Sequence, residues 1–255
     1  MLEEIKIPNP DVYGITPSLY QAWYYYMKGY GTDEDFLKVL KKEPGKTTPA
    51  MIAGEIFELW VRLLVQGKDT KTARQMVVES DIWNKAAVMD KEDSDKVLAT
   101  KNDIVSQTAY WDDCCINAAK LINVENNRIV EGSMWQVRVQ RNLNLLHHGL
   151  YQLYGYADVI KRDRIFDLKY TSMYETGKFS YSIQHLVYMY CTGLKKFRYI
   201  IFDAKERDVY VEDYSFDTEA LKLLMERICS FVVWLRKDHK PDYLGFFRSK
   251  WKKPI

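Results

Sequence analysis

The feature that most constrains this chain is the segment from Gly155 to Thr171, in which two aspartates flank a short basic turn. With the turn centred on the Arg-Asp pair in the middle of the segment, Asp158 faces Asp167 across a β-hairpin. Side chains alternate faces along a strand, so Lys169 shares a face with Asp167. The register therefore predicts two opposed carboxylates, with Cβ atoms about 4.5–5.5 Å apart, beside one ammonium. It also sets the apolar pairs, which are Val159 with Phe166, Ile160 with Ile165, and Ala157 with Leu168.

Two like charges that face each other destabilise a sheet, and a bound divalent cation is a natural way to neutralise them. Mg²⁺ suits this setting, because carboxylates, waters and phosphate oxygens together complete its coordination. A bound metal lowers the pKa of a coordinated water and stabilises charge on a phosphoryl oxygen. Lys169 then has two alternative roles, activating that water or stabilising the developing charge, and the sequence leaves both open. A surface hairpin with an ordinary Asp–Lys pair is the simpler alternative.

Predicted helices on either side of the hairpin carry further polar residues. Gln184 and Tyr188 are spaced i, i+4 in the predicted helix Phe179–Leu194, so both project from one face. Upstream, Glu58 lies on the polar face of a predicted helix that runs from Pro49 to about Gln66 and is apolar on its other face. Taken separately, each helix is also typical of an ordinary amphipathic helix.

These motifs resemble the signature of a known nuclease superfamily. Asp158, followed by Asp167-Leu168-Lys169 after a short hairpin, is similar to the PD-(D/E)XK signature. The residue before Asp158 is alanine, where that signature often has proline, and Gly155-x-x-Asp158 instead resembles the G-x-x-D variant of RecB-type and phage exonucleases.

Both flanking helices extend the resemblance. Gln184 and Tyr188 match the Q-x-x-x-Y element of RecB-like nucleases. Gly54 and Glu58 match the G-x-x-x-(H/E) helix that precedes the core, with glutamate as in the lambda exonuclease type. The order helix, hairpin, helix is the one that the superfamily requires, and three short motifs in that order are more specific than any one alone.

The resemblance implies an α/β fold with a restriction-endonuclease-like core, in which a mixed sheet of four or five strands lies between helices after a helical N-terminal half. It implies a Mg²⁺-dependent deoxyribonuclease, with Mn²⁺ as a substitute, most similar to double-strand DNA exonucleases of phage recombination. Relatives of that kind form rings that thread DNA and act beside a single-strand annealing protein. The metal is assigned to Glu58, Asp158, Asp167 and Leu168. The catalytic roles fall to Asp158, Asp167, Lys169, Gln184 and Tyr188.

Two other functions remain open. A structure-specific or site-specific endonuclease on the same core would nick closed circular DNA, whereas an exonuclease needs an end. A non-catalytic nucleic-acid-binding module would bind DNA without cleaving it in Mg²⁺ or Mn²⁺. The intact Asp158, Asp167 and Lys169 argue against the second alternative.

The 255 residues contain no repeat, low-complexity tract or linker, and they predict a single domain. Residues 1–125 are expected to be mainly helical, 126–215 to hold the core sheet and its helix, and 216–255 to form a closing helix and tail. Hairpins rather than crossovers are expected between strands. Further helices are predicted at Pro17–Lys28, Thr70–Ser80, Val105–Asn123 and Thr218–Lys237. Strands are predicted at Trp135–Asn142, Tyr151–Ile160, Arg164–Thr171, Phe197–Asp203 and Asp208–Asp213.

The net charge of +2 is close to neutral, so a DNA partner needs a local basic patch. Two candidate patches flank the predicted site, and each is equally well explained as a solvated turn. Their residues are Lys161, Arg162 and Arg164 at the hairpin tip, and Lys195, Lys196 and Arg198 after the second motif helix. The tail from Arg248 to Lys253 mixes basic residues with a tryptophan, which is typical of a DNA-contacting segment or of a frayed terminus.

The four cysteines show no C-x-x-C spacing, which favours free thiols in a reducing compartment. We therefore expect none of the iron–sulfur clusters that some relatives carry. The sequence also lacks a secretory signal and any run of about 18 apolar residues, so we expect no membrane contact. The expected location is the cytoplasm, that of the host if a phage encodes the chain.

Overall fold

A computed structural model describes residues 11–106, 109–125, 128–129, 132–145, 148–237 and 242–253 of the chain. The first ten residues, on which the expected lack of a secretory signal rests, lie outside that part. The helices are α1 (Pro17–Lys28), α2 (Asp33–Leu40), α3 (Pro49–Val65), α4 (Thr70–Val78), a 3₁₀ helix (Asp81–Val88), α5 (Lys91–Val105), α6 (Ala109–Asn123), α7 (Gln184–Thr192), α8 (Thr218–Leu235) and α9 (Tyr243–Trp251). The strands are β1 (Val12–Ile15), β2 (Val124–Glu125), β3 (Arg128–Ile129), β4 (Met134–Leu145), β5 (Gly149–Lys161), β6 (Arg164–Thr171), β7 (Lys196–Asp203), β8 (Asp208–Ser215) and β9 (Lys252–Lys253).

Capping residues set the starts of the helices that matter most for the site. Thr16 caps α1 by accepting a hydrogen bond from the main-chain N–H of Leu19, and proline occupies the first turn. Thr48 caps α3 in the same way, again with proline in the first turn. These two starts follow from sequence alone, and the predicted bounds of α1 are confirmed.

A long strand, β5, organises the main sheet, whose order is β8-β7-β6-β5-β1-β9 with β4 also paired to β5. β4 pairs with β5 along nearly its whole length. On the opposite edge, β1 runs parallel to β5 at residues 151–153, while β6 runs antiparallel to it at residues 159–161. On that edge, residues 154–158 therefore have no strand partner within the described chain. β1 and β6 separate from each other on the two sides of this stretch.

The predicted α/β class is confirmed, with a mixed sheet between helices and a helical N-terminal half. The expected four or five strands are too few, because the described residues contribute seven to this sheet. Hairpin-only connectivity is also wrong, since β6 and β7 are parallel and α7 lies in the connection between them.

Several helix bounds differ from the sequence prediction. A single helix at Val105–Asn123 was expected, but α5 ends at Val105 and α6 begins at Ala109. The predicted Phe179–Leu194 helix is shorter, because α7 begins only at Gln184. In the described chain, no helix is long and apolar enough to cross a membrane.

Two hydrophobic cores lie on the two sides of the sheet. The first is built from α1, α2, α7, α8 and α9, and the second from α3 to α6 with the 3₁₀ helix. On β6, Ile165 packs in the first core, whereas Phe166 and Leu168 pack in the second, as period-two alternation requires.

Alternation fails on β5 next to the unpaired edge. Ala157 packs in the first core, but Val159, two residues on, packs in the second. The prediction that Ala157 shares an apolar side with Leu168 is therefore wrong. Gln136 on β4, beside this break, has a φ of 49°, which is the left-handed region that non-glycine residues rarely adopt. Both strands are thus irregular at the position of Asp158.

Candidate active site

Asp158 lies where β6 separates from β5. The predicted hairpin register is confirmed at Val159–Phe166, Ile160–Ile165 and Lys161–Arg164, and Val159–Phe166 is the last recorded pair. Beyond it, Asp158 Oδ2 accepts a hydrogen bond of 2.8 Å from the main-chain N–H of Leu168. The Asp158 carboxylate thus accepts the bond that a main-chain carbonyl would accept in a regular strand pair. Asp158 and Asp167 do not face each other as predicted, because Asp158 contacts Leu168 instead.

Asp167 is the most deeply buried acid of the site, with 1% of its surface exposed. Its Oδ1 accepts a 2.6 Å hydrogen bond from Gln184 Nε2 on α7. Its Oδ2 lies 2.5 Å from Lys169 Nζ, in an ion pair without good hydrogen-bond geometry. Gln184 and Lys169, both predicted to be catalytic, therefore each contact a different oxygen of the Asp167 carboxylate.

Tyr188 completes the group on α7. Gln184 Nε2 lies 3.3 Å from the Tyr188 hydroxyl, which confirms that the i, i+4 pair projects from one face. The Tyr188 ring passes so close to Gly155 that a Cβ there would lie 2.5 Å from Tyr188 Cε1. Gly155 is therefore required by packing, and the G-x-x-D and Q-x-x-x-Y motifs meet at this contact.

Glu58 approaches from α3 on the other side of the sheet. Its Oε1 accepts a 2.6 Å hydrogen bond from Gln136 Nε2, and the same nitrogen lies 3.2 Å from Asp158 Oδ1. Two carboxylates thus converge on a single amide group. Sequence analysis did not single out Gln136, which looked like one of the polar positions of an alternating strand.

Electrostatics at the site favour added positive charge. Burial raises the pKa of Asp158 well above its ordinary value, and the Asp167 carboxylate raises it further. Burial also raises the pKa values of Asp167 and Glu58. Burial alone would lower the pKa of Lys169, but the charges of Asp167 and Asp158 outweigh it and hold that pKa above its ordinary value. Asp158 and Asp167 therefore share the Lys169 ammonium, whereas the charge of Arg62 acts on Glu58.

The candidate ligand atoms fit a hard cation that also binds water or substrate oxygens. All candidate side-chain donors are carboxylate oxygens, which suit Mg²⁺. Leu168 can contribute only its main-chain carbonyl oxygen, because its side chain is a hydrocarbon and its N–H donates to Asp158. Within the described residues, no group of three or more His, Cys, Asp and Glu side chains forms a ready-made cage. A site completed by water and phosphate oxygens is compatible with these residues.

Two clefts adjoin the group, and Lys169 and Gln184 line both. The larger, of about 560 Å³, is lined by tyrosines of the α1 region, among them Tyr24 and Tyr25. The smaller, of about 430 Å³, lies where β1 and β6 diverge, and it is lined by the first turn of α1 and by β5. Lys169 is the charged group that both clefts share, so a ligand in either cleft reaches it.

The cations predicted to contact DNA differ in availability. Lys161 is buried and donates to Asn123 Oδ1 at 2.9 Å, so it does not belong to the exposed basic surface. Arg164 and Arg198 both form ion pairs with Asp213. The remaining three are exposed: Lys196 pairs with Asp163, Lys195 lies over the Phe216 ring, and Arg162 occupies the hairpin turn.

The four cysteines are free thiols on three helices. Cys114 and Cys115 are buried on α6, and burial raises the pKa of the Cys114 thiol to about 12. Both thiols are held in their protonated form, which is typical of cysteines that pack in a core.

Comparison with known proteins shows neither a family nor a function for this chain. No protein-family model matches the sequence, and no curated protein matches it. A solved structure described as the crystal structure of SSO0001 is 13% identical, and the match covers 81% of this chain and 87% of that chain with a TM-score of 0.35. Another, the crystal structure of LHK-Exo in complex with dAMP, is 10% identical, and the match covers 82% of this chain and 95% of that chain with a TM-score of 0.28. Both similarities are too low to bear on function.

Proposed function

We propose that this protein hydrolyses phosphodiester bonds in DNA with the help of a divalent cation. The observation that carries the proposal is the pair of carboxyl groups of Asp158 and Asp167 beside the Lys169 ammonium, with Glu58 linked to Asp158 through the Gln136 amide. Burying two carboxyl groups beside one ammonium is costly for the fold, and their raised pKa values reflect that cost. A cationic cofactor and a phosphate substrate account for both the charge and the adjoining clefts.

Each residue has a distinct part in the proposed reaction. Glu58, Asp158, Asp167 and the main chain of Leu168 would hold the cation, Mg²⁺ or in its place Mn²⁺. When bound, the cation supplies a water of lowered pKa and stabilises charge on the phosphoryl oxygen. Lys169, ion-paired to Asp167, presents an ammonium to both clefts, which supports the charge-stabilising role over that of a base.

Gln184 and Tyr188 are positioning residues. Gln184 holds Asp167 by a 2.6 Å hydrogen bond, and Tyr188 lies against Gln184 on the next turn of α7. With Oδ1 engaged, the Asp167 carboxylate cannot rotate freely, so the oxygen that faces Lys169 stays in place.

The finer proposal is a double-strand exonuclease of the phage recombination type. It rests on the G-x-x-D, G-x-x-x-E and Q-x-x-x-Y motifs and on their resemblance to that group. A ring-shaped homo-oligomer, a single-strand annealing partner, a cytoplasmic location and the lack of an iron–sulfur cluster belong to the same proposal.

The test compares linear, nicked and closed circular DNA in Mg²⁺ and in EDTA, for the native protein, Lys169→Ala and Asp158→Asn. We expect Mg²⁺-dependent loss of linear DNA, no nicking of closed circles, and no activity in either variant. Nicking of closed circles would instead identify an endonuclease. DNA binding without cleavage in Mg²⁺ or Mn²⁺ would identify a binding module, and activity that survives either substitution would overturn the site assignment.

A further inference from the structure

A second cluster of cations lies on the face formed by β4, β5 and the C-terminal strand. Lys253 Nζ stands 3.4 Å from the centroid of the Tyr154 ring, and the Arg138 guanidinium lies 5.9 Å from the same ring. Lys42 Nζ lies 4.4 Å from the centroid of the Trp251 ring, two residues before Lys253. Three cations are thus held over two aromatic rings, Tyr154 and Trp251.

The backbone is adapted to this arrangement. A Cβ at Gly14 would lie 2.5 Å from Lys253 Cε and 2.7 Å from Tyr154 Cε1, so only glycine allows Lys253 to reach the ring. Lys42 has a φ of 57° because it follows the end of α2, where its N–H bonds to the Val39 carbonyl and the Glu43 N–H bonds to the Lys38 carbonyl. This left-handed conformation is an ordinary helix end, so the adaptation of the backbone to the cluster lies at Gly14.

None of these three cations forms an ion pair with an acid anywhere in the described chain. Three of the six cations predicted from the sequence differ from them, because Arg164, Arg198 and Lys196 are each paired with an aspartate. Burial lowers the pKa of Lys253, and the charges of Lys42 and Arg138 lower it further. Unpaired cations that repel one another leave the cluster in need of an anionic partner.

We propose that Lys42, Arg138 and Lys253 form a docking site for the phosphates of a DNA backbone, and that this site delivers the duplex to the cleft beside Lys169. The placement of Tyr154 supports this route, because the residue carries two of the cations and also lines the smaller cleft together with Lys169 and Gln184. The inference rests on the proposed nuclease function for the identity of the ligand.

The test is the salt dependence of binding to a labelled blunt DNA duplex in EDTA, where no cleavage occurs. The variant combines Lys42→Met, Arg138→Met and Lys253→Met, which keep unbranched stems over the rings while removing the charges. The control combines Lys38→Met, Lys46→Met and Lys96→Met, which remove the same charge from exposed lysines already paired with acids. Arg138→Met alone serves if the triple variant does not fold.

Each phosphate contact contributes about one unit to the slope of log K against log salt. We expect the slope to fall by about three units in the triple variant and by about one unit in Arg138→Met, with little change in the control. Equal effects in variant and control, or no effect in either, would overturn the docking site.

A second measurement separates this inference from the proposed function. Hydrolysis of a small chromogenic phosphodiester needs the catalytic group but no duplex docking. We expect the cluster variant to retain this activity while losing cleavage of long DNA. If the native protein hydrolyses neither substrate, the nuclease proposal fails, whereas the salt slopes still decide whether the cluster binds DNA.

Discussion

Gly155 lies beneath the aromatic ring of Tyr188, at a separation that leaves no room for a β-carbon. This contact joins β5 to α7 where one edge of β5 lies between its pairings with β1 and β6, while the other edge stays paired with β4. It also places Tyr188 against Gln184, which holds the Asp167 carboxylate. The geometry of the acidic group therefore depends on a residue that contributes no functional atoms.

Replacing Gly155 by alanine tests that dependence. A Cβ would overlap the Tyr188 ring, so we expect a loss of about 1–3 kcal/mol in the free energy of unfolding and a lower rate of DNA cleavage. Gly54→Ala is the matched control, because its Cβ would meet only Tyr170 Cβ at an ordinary 3.7 Å. Urea unfolding measures the change in stability, and a DNA cleavage assay measures the change in rate. Full stability and activity in Gly155→Ala would show that the contact does not position the site.

Asp158→Asn separates stability from activity. The pKa of Asp158 is raised by burial and by Asp167, so its ionised form weakens the fold once the pH exceeds the unfolded value. Asparagine can still accept the Leu168 N–H bond, so we expect the variant in EDTA to be about 1 kcal/mol more stable at pH 7 and to lack cleavage activity. Added Mg²⁺ should stabilise the native protein and not the variant. Lower stability of the variant in EDTA would contradict this account.

Lys169 has a structural role and a proposed catalytic role. Two variants separate these roles by their effects on stability and on DNA cleavage. Lys169→Met leaves a buried Asp167 charge uncompensated, which costs about 3–5 kcal/mol. Adding Asp167→Asn removes that charge, so the double variant should regain most of the stability while remaining unable to cleave DNA. Lys205→Met, at an exposed position, is the control. If the double variant regains cleavage together with its stability, Lys169 is not part of the chemistry.

Gln136 donates to the two carboxylates that the proposed cation also needs, so the amide and the cation compete. We expect Gln136→Ala to lose about 1 kcal/mol of stability in EDTA and to reach half-maximal activity at a lower Mg²⁺ concentration. Gln140→Ala, an exposed residue on the same strand, should change neither. The measurement is the rate of DNA cleavage as a function of Mg²⁺ concentration. If Gln136→Ala needs as much Mg²⁺ as the native protein or more, the amide and the cation do not compete.

The buried His185 makes the free energy of unfolding depend on pH. Burial, with a smaller effect of Arg227, lowers the pKa of His185 to about 3. Between that value and the ordinary 6.5, the folded chain binds fewer protons than the unfolded chain, so its stability falls as the pH is lowered. From pH 7 to pH 5 the contribution is about 2 kcal/mol.

The matched variant is His185→Phe, which keeps a ring against Tyr214, now stacked with the imidazole at a centroid distance of 4.0 Å. We expect the native protein to lose about 2 kcal/mol more than this variant over that pH range in urea unfolding experiments. Parallel losses in the two proteins would mean that His185 is not buried in its neutral form.

Regular local patterns account for the parts of the fold that sequence analysis predicted. The bounds of β6 and α1 agree with the prediction, because alternation defines the strand and a threonine cap with proline defines the helix start. The existence of α2 was missed although a signal was available, since Thr32 and Asp35 form a reciprocal capping box.

Other parts depend on contacts that are distant in sequence. β1 and β9 are short strands without a periodic pattern, and each is defined by its pairing partners. Gln136 bonds to a glutamate 78 residues away, and its left-handed backbone has no sequence signature. Motifs therefore suffice to select the acidic residues of the candidate site, whereas the break in β5 beside them has no signal in the sequence.

The two cores on opposite sides of the sheet tie the appearance of activity to nearly complete synthesis. Glu58 lies in the layer of α3 to α6, whose core is closed by sheet residues as late in the chain as Phe202, whereas Gln184 and Tyr188 lie in the other layer, which joins α1 and α2 to α7, α8 and α9. Neither core is complete before β7 has been made, so a shorter nascent chain cannot hold the acidic group together with its supports. The proposed DNA-cleaving activity would then arise only in completed molecules, which would protect the producing cell from partly folded nuclease.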